Sequence, residues 1–157
     1  MKRVAFLFTI LLGFLSTPYA QNSSLTKLFD TYSEDREFTY VYTGNGINTV
    51  SLFPKAANDK LKDPANDIRF VKILTSEEKE ESKSVTSFTH SIKKILKSEG
   101  FELLLKVRDE DDKVEIYQKK FDAAMNDMII LVEDSDSVAA IWVFGKFDGN
   151  SIIKSYY

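Results

Sequence analysis

Two acidic turns are the residues of this chain whose type and spacing suggest chemistry. One is Asp109-Glu110-Asp111-Asp112, and the other runs from Asp134 to Asp136. Each separates two segments with strand-like patterns, and every second turn of an antiparallel meander lies at the same end of the sheet, so we expect the two turns to converge. Carboxylate oxygens are ligands that Ca²⁺ prefers. The two turns are therefore candidates for a calcium site, with these possible ligands: Asp109, Asp111, Asp112, Asp134 and Asp136.

The alternative interpretation of both turns is that they are only solvated hairpin ends. Asp is common in such turns because its side chain forms hydrogen bonds with the nearby backbone. The order of residues also matches no EF-hand loop. Both interpretations stay open at the level of sequence.

Most other catalytic and metal chemistry is excluded by the residue inventory. The chain has one histidine, His90, and no cysteine, so it lacks a thiol nucleophile, and a zinc site would need three or more carboxylates, which suit zinc poorly. Helical spacing places His90 roughly opposite the apolar stripe of its helix, as is typical of a surface residue. Ser-x-x-Lys occurs four times, as chance allows in a chain rich in Ser and Lys, and no Lys-Thr-Gly accompanies it. We predict no catalytic residue, no cofactor and no enzymatic activity.

The first twenty residues have the pattern of a cleavable signal peptide. Lys2 and Arg3 precede an apolar run from Val4 to Leu15, and small and polar residues follow up to Ala20. The run is shorter than the ~20 residues of a membrane-spanning helix. We therefore expect a signal peptide over residues 1–20 and a single domain over residues 21–157. The mature protein is predicted to be periplasmic or secreted, with no membrane span after cleavage.

The charge balance of the mature chain argues against two classes of partner. Without Lys2 and Arg3, 19 basic residues stand against 24 acidic ones, a net charge of −5. Nucleic acids and anionic lipid surfaces both require a basic footprint. We expect no nucleic-acid partner, and the partner classes left open are an unknown envelope protein and an apolar ligand.

The periodicity of the chain predicts helices first and then a run of strands. Helical spacing covers 23–32 and 84–98, with Gly100 placed to stop the second helix in a left-handed conformation. Residues 54–67 are predicted to be a loop or a broken helix, and residues 151–157 a short terminal helix. Strands are predicted over 38–43, 68–74, 101–108, 113–121, 128–132 and 138–144. This order predicts an α+β fold with a mainly antiparallel sheet, a C-terminal strand meander and one long amphipathic helix packed on it.

Three of these strands give more specific expectations. Phe101, Leu103, Leu105 and Val107 alternate and should share one face. The segments 128–132 and 138–144 are apolar at every position, which is typical of central strands covered on both faces or of a sheet with one face left for a ligand or partner. Trp142 should accordingly be buried, against Ile130 and Val132 and against Phe88 or Ile92 of the long helix.

The chain from Leu28 to its end resembles an exported bacterial family known only as domain of unknown function 4252. Three segments show the resemblance: LFDTYSEDREFTYVY, FELLLKVRDEDDKVEIYQKK and MIILVEDSDSVAAIWVFGKFD. They match the family's opening helix and first strand, its central hairpin and its closing hairpin. The resemblance implies an exported domain with no assigned activity and supplies no functional residues.

Three hypotheses for function follow. The first is a non-catalytic binding or protein-interaction domain of the bacterial cell envelope. The second is a small carrier for an apolar ligand. The third, which no spacing in the sequence specifically supports, is a hydrolase that uses paired carboxylates.

The predicted export has a direct test. N-terminal sequencing of the protein recovered from the envelope or the medium should begin at Gln21, or within a residue or two of it, because the small residues end there. A protein that still begins at Met1 in the inner membrane would show that residues 1–20 are an anchor instead.

Overall fold

The computed structural model of the protein describes residues 23–44, 67–76, 82–121 and 125–150. These residues form two helices and six strands. In chain order they are α1 (Ser23–Ser33), β1 (Phe38–Gly44), β2 (Asp67–Ser76), α2 (Lys83–Ser98), β3 (Glu102–Asp109), β4 (Asp112–Lys120), β5 (Met125–Glu133) and β6 (Val138–Lys146). The predicted signal peptide, residues 54–66 of the predicted loop and the terminal helix over 151–157 lie outside the described residues. Asp67, the last residue of the predicted loop, is instead the first residue of β2.

The six strands form one antiparallel sheet in the order β1-β2-β6-β5-β4-β3. Strands β3 to β6 are a meander, and the β1–β2 pair joins it because β2 pairs with β6. β1 and β3 are therefore the two edge strands of the sheet that the described residues form. The predicted α+β class, the mainly antiparallel sheet and the C-terminal meander are confirmed.

The ends of α2 follow from local hydrogen bonding. The Ser82 hydroxyl accepts a hydrogen bond from the Val85 N–H at 3.1 Å, which satisfies one donor of the first turn. At the other end Gly100 has a φ of +76°, and the Phe101 N–H donates to the Leu96 carbonyl at 3.1 Å. The prediction that Gly100 stops this helix in a left-handed conformation is confirmed.

One face of the sheet is covered by both helices. Phe88, Ile92 and Leu96 of α2 are buried, and Leu25 and Phe29 of α1 lie in the same apolar cluster. The strand residues of this helix-side cluster are Phe38, Phe70, Leu74, Ile129, Leu131, Val138, Ala140 and Trp142.

The opposite face of the sheet is also buried, and neither helix contributes to it. Its cluster consists of Ile68, Val71, Ile73, Ile116, Met128, Ile130, Val143 and Phe147. Neighbouring residues of β5 and β6 thus point into two different cores. The prediction that these strands are central and covered on both faces is confirmed.

Trp142 belongs to the helix-side cluster and is 0% exposed, which confirms the prediction that it is buried. Its indole centroid is 5.4 Å from that of Phe29 on α1 and 5.0 Å from that of Phe70 on β2. The expected contacts with Ile130 and Val132 are wrong, whereas Phe88 and Ile92, expected from the long helix, do lie in the same cluster as Trp142. Trp142 pairs with Ile129 across β5, whereas Ile130 belongs to the opposite face and Val132 packs against that face's cluster.

The expected alternation of β3 is also wrong, because a β-bulge interrupts it. Leu103 pairs with Tyr117, but Leu105 already pairs with Ile116, so one extra residue is inserted between them. Phe101 consequently packs against the helix-side cluster and Leu105 against the opposite one. A bulge of this kind leaves the hydrophobic pattern of the strand unchanged, so the sequence gives no signal for it.

Candidate functional site

The two acidic turns lie at the same end of the sheet, as predicted. Lys113, directly after the first turn, pairs with Glu133, directly before the second. All five candidate ligands are exposed. Among the described residues, which include these five, no group of three or more His, Asp or Glu side chains is placed to hold a metal ion. Calcium binding here stays a prediction without a ligand cluster to support it.

Two carboxylates next to the turns, Glu115 and Glu133, are instead paired with lysines of β4 and α2. Lys113 Nζ lies 3.0 Å from Glu115 Oε1 and 3.3 Å from Glu133 Oε1, so it bridges the two. Lys93 of α2 also pairs with Glu133, and the Tyr117 hydroxyl donates to Glu115 Oε2 at 3.0 Å. This charge network ties α2 to β4 and β5.

The pKa values of the charge network do not suit acid–base catalysis. Burial raises the pKa of Tyr117 to about 12, and the Glu115 carboxylate beside it acts in the same direction. Burial alone would raise the pKa of Glu115, but hydrogen bonds from Lys113 and Tyr117 outweigh it and hold that pKa below its ordinary value. A general base or acid works best with a pKa near the working pH. These groups are better suited to holding the helix in place.

A polar cleft of about 380 Å³ lies between α2 and the β5–β6 turn. Its walls include His90 and Lys93 from α2, and Glu133, Asp134 and Ser135 from the strand and turn. His90 is exposed, as predicted. Lys93 and Glu133 pair with each other, so the charges of these two cleft residues compensate each other.

The outer edge of β1 is an exposed strand edge with an uncharged sequence and a regular register. The strand reads Phe38-Thr-Tyr-Val-Tyr-Thr-Gly44 and has no charged residue, no proline and an unbroken register with β2. Val41 is 39% exposed and Tyr42 is 57% exposed, on opposite faces of the strand. Its backbone groups on the side away from β2 have no strand partner among the described residues.

The edge at β3 has the features by which proteins block pairing with other chains. Its eight residues include Glu102, Lys106, Arg108 and Asp109, and the bulge lies between Leu103 and Leu105. Charged side chains and bulges prevent edge-to-edge association. β1 has neither, so we take its outer edge as the candidate functional site.

The comparisons with known proteins come down to one match. A family model described as Domain of unknown function (DUF4252) matches residues 32–155. The chain belongs to the DUF4252 family. No curated protein and no solved structure matches it. None of the helices in the described part of this DUF4252 domain is long and apolar enough to cross a membrane.

A second polar feature of the DUF4252 domain is a carboxylate buried in the helix-side core. Asp127 on β5 is 1% exposed, and its Oδ1 accepts a hydrogen bond from Trp142 Nε1 at 2.8 Å. Burial raises the pKa of Asp127 to about 6, although the hydrogen bond from Trp142 and the nearby Lys119 both act to lower it. The folded protein therefore disfavours the charged form of Asp127. The structural role of this side chain is to accept the hydrogen bond from the indole of Trp142.

Sequence reasoning missed both Asp127 and the β1 edge as sites. Asp127 precedes an apolar strand and looks like a turn residue, whereas the strand begins at Met125 and places Asp127 inside the core. The composition of β1 was visible in the sequence, but the strand order that makes it an edge was not. Edge position depends on which strands pair, and this is fixed by long-range contacts.

The buried Asp127 predicts a specific pH dependence of stability. The pKa of Asp127 is about 6 in the folded protein and 3.8 in the unfolded chain, so between these pH values the folded state binds the proton more tightly. The free energy of unfolding therefore falls as the pH rises from about 4 to about 6, and it stays at the lower value above pH 6. Asp127→Asn keeps an acceptor for Trp142 and removes the titration. We expect the variant to be more stable than the parent at pH 7 by up to about 3 kcal/mol, at ~1.4 kcal/mol per pKa unit, and equal to it below about pH 4.

Urea unfolding at a series of pH values measures this difference directly. Asp111→Asn, the same substitution at an exposed turn position, is the matched control and should follow the parent over the whole pH range. An Asp127→Asn variant that is less stable than the parent at pH 7 would show that the charged carboxylate is favourable in the core.

Proposed function

We propose that this DUF4252 domain is a non-catalytic protein-interaction domain of the bacterial cell envelope. Its binding surface is the outer edge of β1. The observation that supports this proposal most is the contrast between the two edges of the sheet. β3 has four charged residues and a bulge, whereas β1 is uncharged, regular and rich in aromatic and β-branched residues.

The mode of binding that fits this surface is strand addition. An extended segment of a partner can pair its backbone with the N–H and C=O groups of β1 that have no strand partner among the described residues, and so extend the sheet. The side chains next to this edge favour a partner strand with uncharged residues. Tyr42 and Val41 are both exposed and lie on opposite faces of β1, and an added strand would cover part of each side chain. Tyrosine is frequent among residues that contribute strongly to binding.

The arrangement of the ionisable groups supports a role without catalysis. Glu133 in the wall of the polar cleft is paired with Lys93 and Lys113, and the buried Asp127 is held by Trp142 away from solvent. The hydrolase hypothesis, which needs two carboxylates facing a substrate, gains no support from these contacts.

The apolar-carrier hypothesis also gains little support from the described residues. Apart from Val85, the residues that line the cleft beside His90 are polar or charged. A second cavity, of about 260 Å³, has Gln118, Lys120 and Asn126 in its wall and only Phe121 and Phe147 as large apolar residues. A carrier pocket is normally lined by apolar side chains. The envelope location is supported by the pattern of residues 1–20, and its test is the N-terminal sequence of the exported protein.

Site-specific photo-crosslinking in the native bacterium tests the proposed surface. A photoreactive phenylalanine analogue replaces Tyr42 in the full chain, or replaces Val107 on β3 as the control. Both positions are exposed edge residues. We expect an ultraviolet-dependent adduct from position 42 and none from position 107, because only β1 is free of charges and bulges.

A second substitution links any adduct to strand pairing. Val41→Lys puts a charge at the centre of the β1 edge and should abolish the adduct from position 42, whereas Val107→Lys should leave it unchanged. No adduct from position 42, or equal adducts from both positions, contradicts the proposed surface.

A further inference from the structure

The residues of the β1 edge form a palindrome. Residues 39–43 read Thr-Tyr-Val-Tyr-Thr, which is the same in both directions about Val41. All five lie in the part of β1 with a regular register against β2. Antiparallel pairing of two identical strands reverses one of them, so a palindromic edge presents the same side chains to its own copy in the same order.

We propose that the partner strand at this edge is β1 of a second copy of the chain. The inference rests on the proposed function of the same surface and names its occupant. The two copies pair antiparallel about a twofold axis at Val41, and two six-stranded sheets become one continuous sheet. Twofold dimers with such self-complementary interfaces are the commonest oligomers.

The side-chain pairs that this register creates are all favourable types. Val41 faces Val41 of the partner subunit, Tyr40 faces the partner subunit's Tyr42, and Thr39 faces the partner subunit's Thr43. Aromatic pairs and threonine pairs directly opposite each other stabilise antiparallel sheets. No like charges meet, since residues 38–44 are uncharged.

The two faces of the sheet are consistent with this pairing. A twofold axis normal to the sheet keeps the helix side of one copy on the same side as that of the other. Tyr40 packs partly against the helix-side cluster and Tyr42 extends beyond it, 57% exposed. Pairing places this exposed ring beside the half-buried Tyr40 of the partner subunit. Val41 gains its counterpart on the opposite face.

The mass of the purified, exported protein tests the pairing. Sedimentation velocity over a range of micromolar concentrations should give twice the mass of one chain for the parent. Val41→Lys should give the mass of a single chain, because two lysines would face each other at the axis. Val107→Lys, the same change at a residue of similar exposure on β3, should keep the dimer mass. Circular dichroism and thermal melting of the two variants check that both are folded.

A disulfide tests the register itself. The chain has no cysteine, so a single introduced thiol is unique. Opposite residues of an antiparallel pair have Cα atoms about 4.5–5.5 Å apart, within disulfide range. Val41→Cys should therefore form a covalent dimer on mild oxidation. Thr39→Cys should not, because its copy lies four residues along the strand, about 13 Å away at ~3.3 Å per residue.

The outcomes separate this inference from the proposed function. A single-chain mass for the parent at every concentration, or covalent dimers from Thr39→Cys as readily as from Val41→Cys, overturns the self-pairing. If the parent has a single-chain mass and the Tyr42 crosslink captures another protein, the interaction surface stands and its occupant is not a second copy. If neither a dimer nor an adduct forms, both proposals fail.

Discussion

The burial of one indole ring is the constraint on which the rest of this structure depends. Trp142 lies on β6, the strand that joins the β1–β2 pair to the meander, and it is fully buried between α1 and the sheet. A buried indole N–H needs an acceptor, since an unpaired buried donor costs on the order of 1–3 kcal/mol. Asp127 supplies that acceptor from the neighbouring strand.

The surroundings of the indole show how the charge of that acceptor is tolerated. Lys72 of β2 pairs directly opposite Trp142, and its Nζ lies 5.4 Å from the indole centroid. Lys119 of β4 pairs directly opposite Asp127 of β5. Of these two lysines, Lys119 is the one whose positive charge lowers the pKa of Asp127 and so opposes the cost of burying its negative charge. Through these contacts Trp142 and Asp127 connect β2 and β6 with β5 and β4.

Much of this architecture could be predicted from the sequence because its signals are local. The Ser and Gly residues at the ends of α2, the acidic turns and the continuous apolar runs of β5 and β6 each act within a few residues. The predicted strand boundaries differ from the observed ones by at most three residues, as in β5, which begins at Met125.

The features that could not be predicted are those fixed by distant contacts. The bulge at Leu103–Leu105 moves side chains to the other face without a change in pattern. Asp127 resembles a turn residue until strand pairing places it beside Trp142. The candidate site depended in the same way on strand order, because only that order shows that the uncharged β1 is an edge while the charged β3 protects the other one.

The single tryptophan allows the central role of this core to be measured directly. Trp142 is the only tryptophan of the chain, so native fluorescence reports on its environment alone, and Trp142→Ala removes the ring. The account predicts blue-shifted native emission and a loss of about 3–5 kcal/mol in the free energy of unfolding for the variant. Red-shifted native emission together with unchanged stability of Trp142→Ala would contradict it.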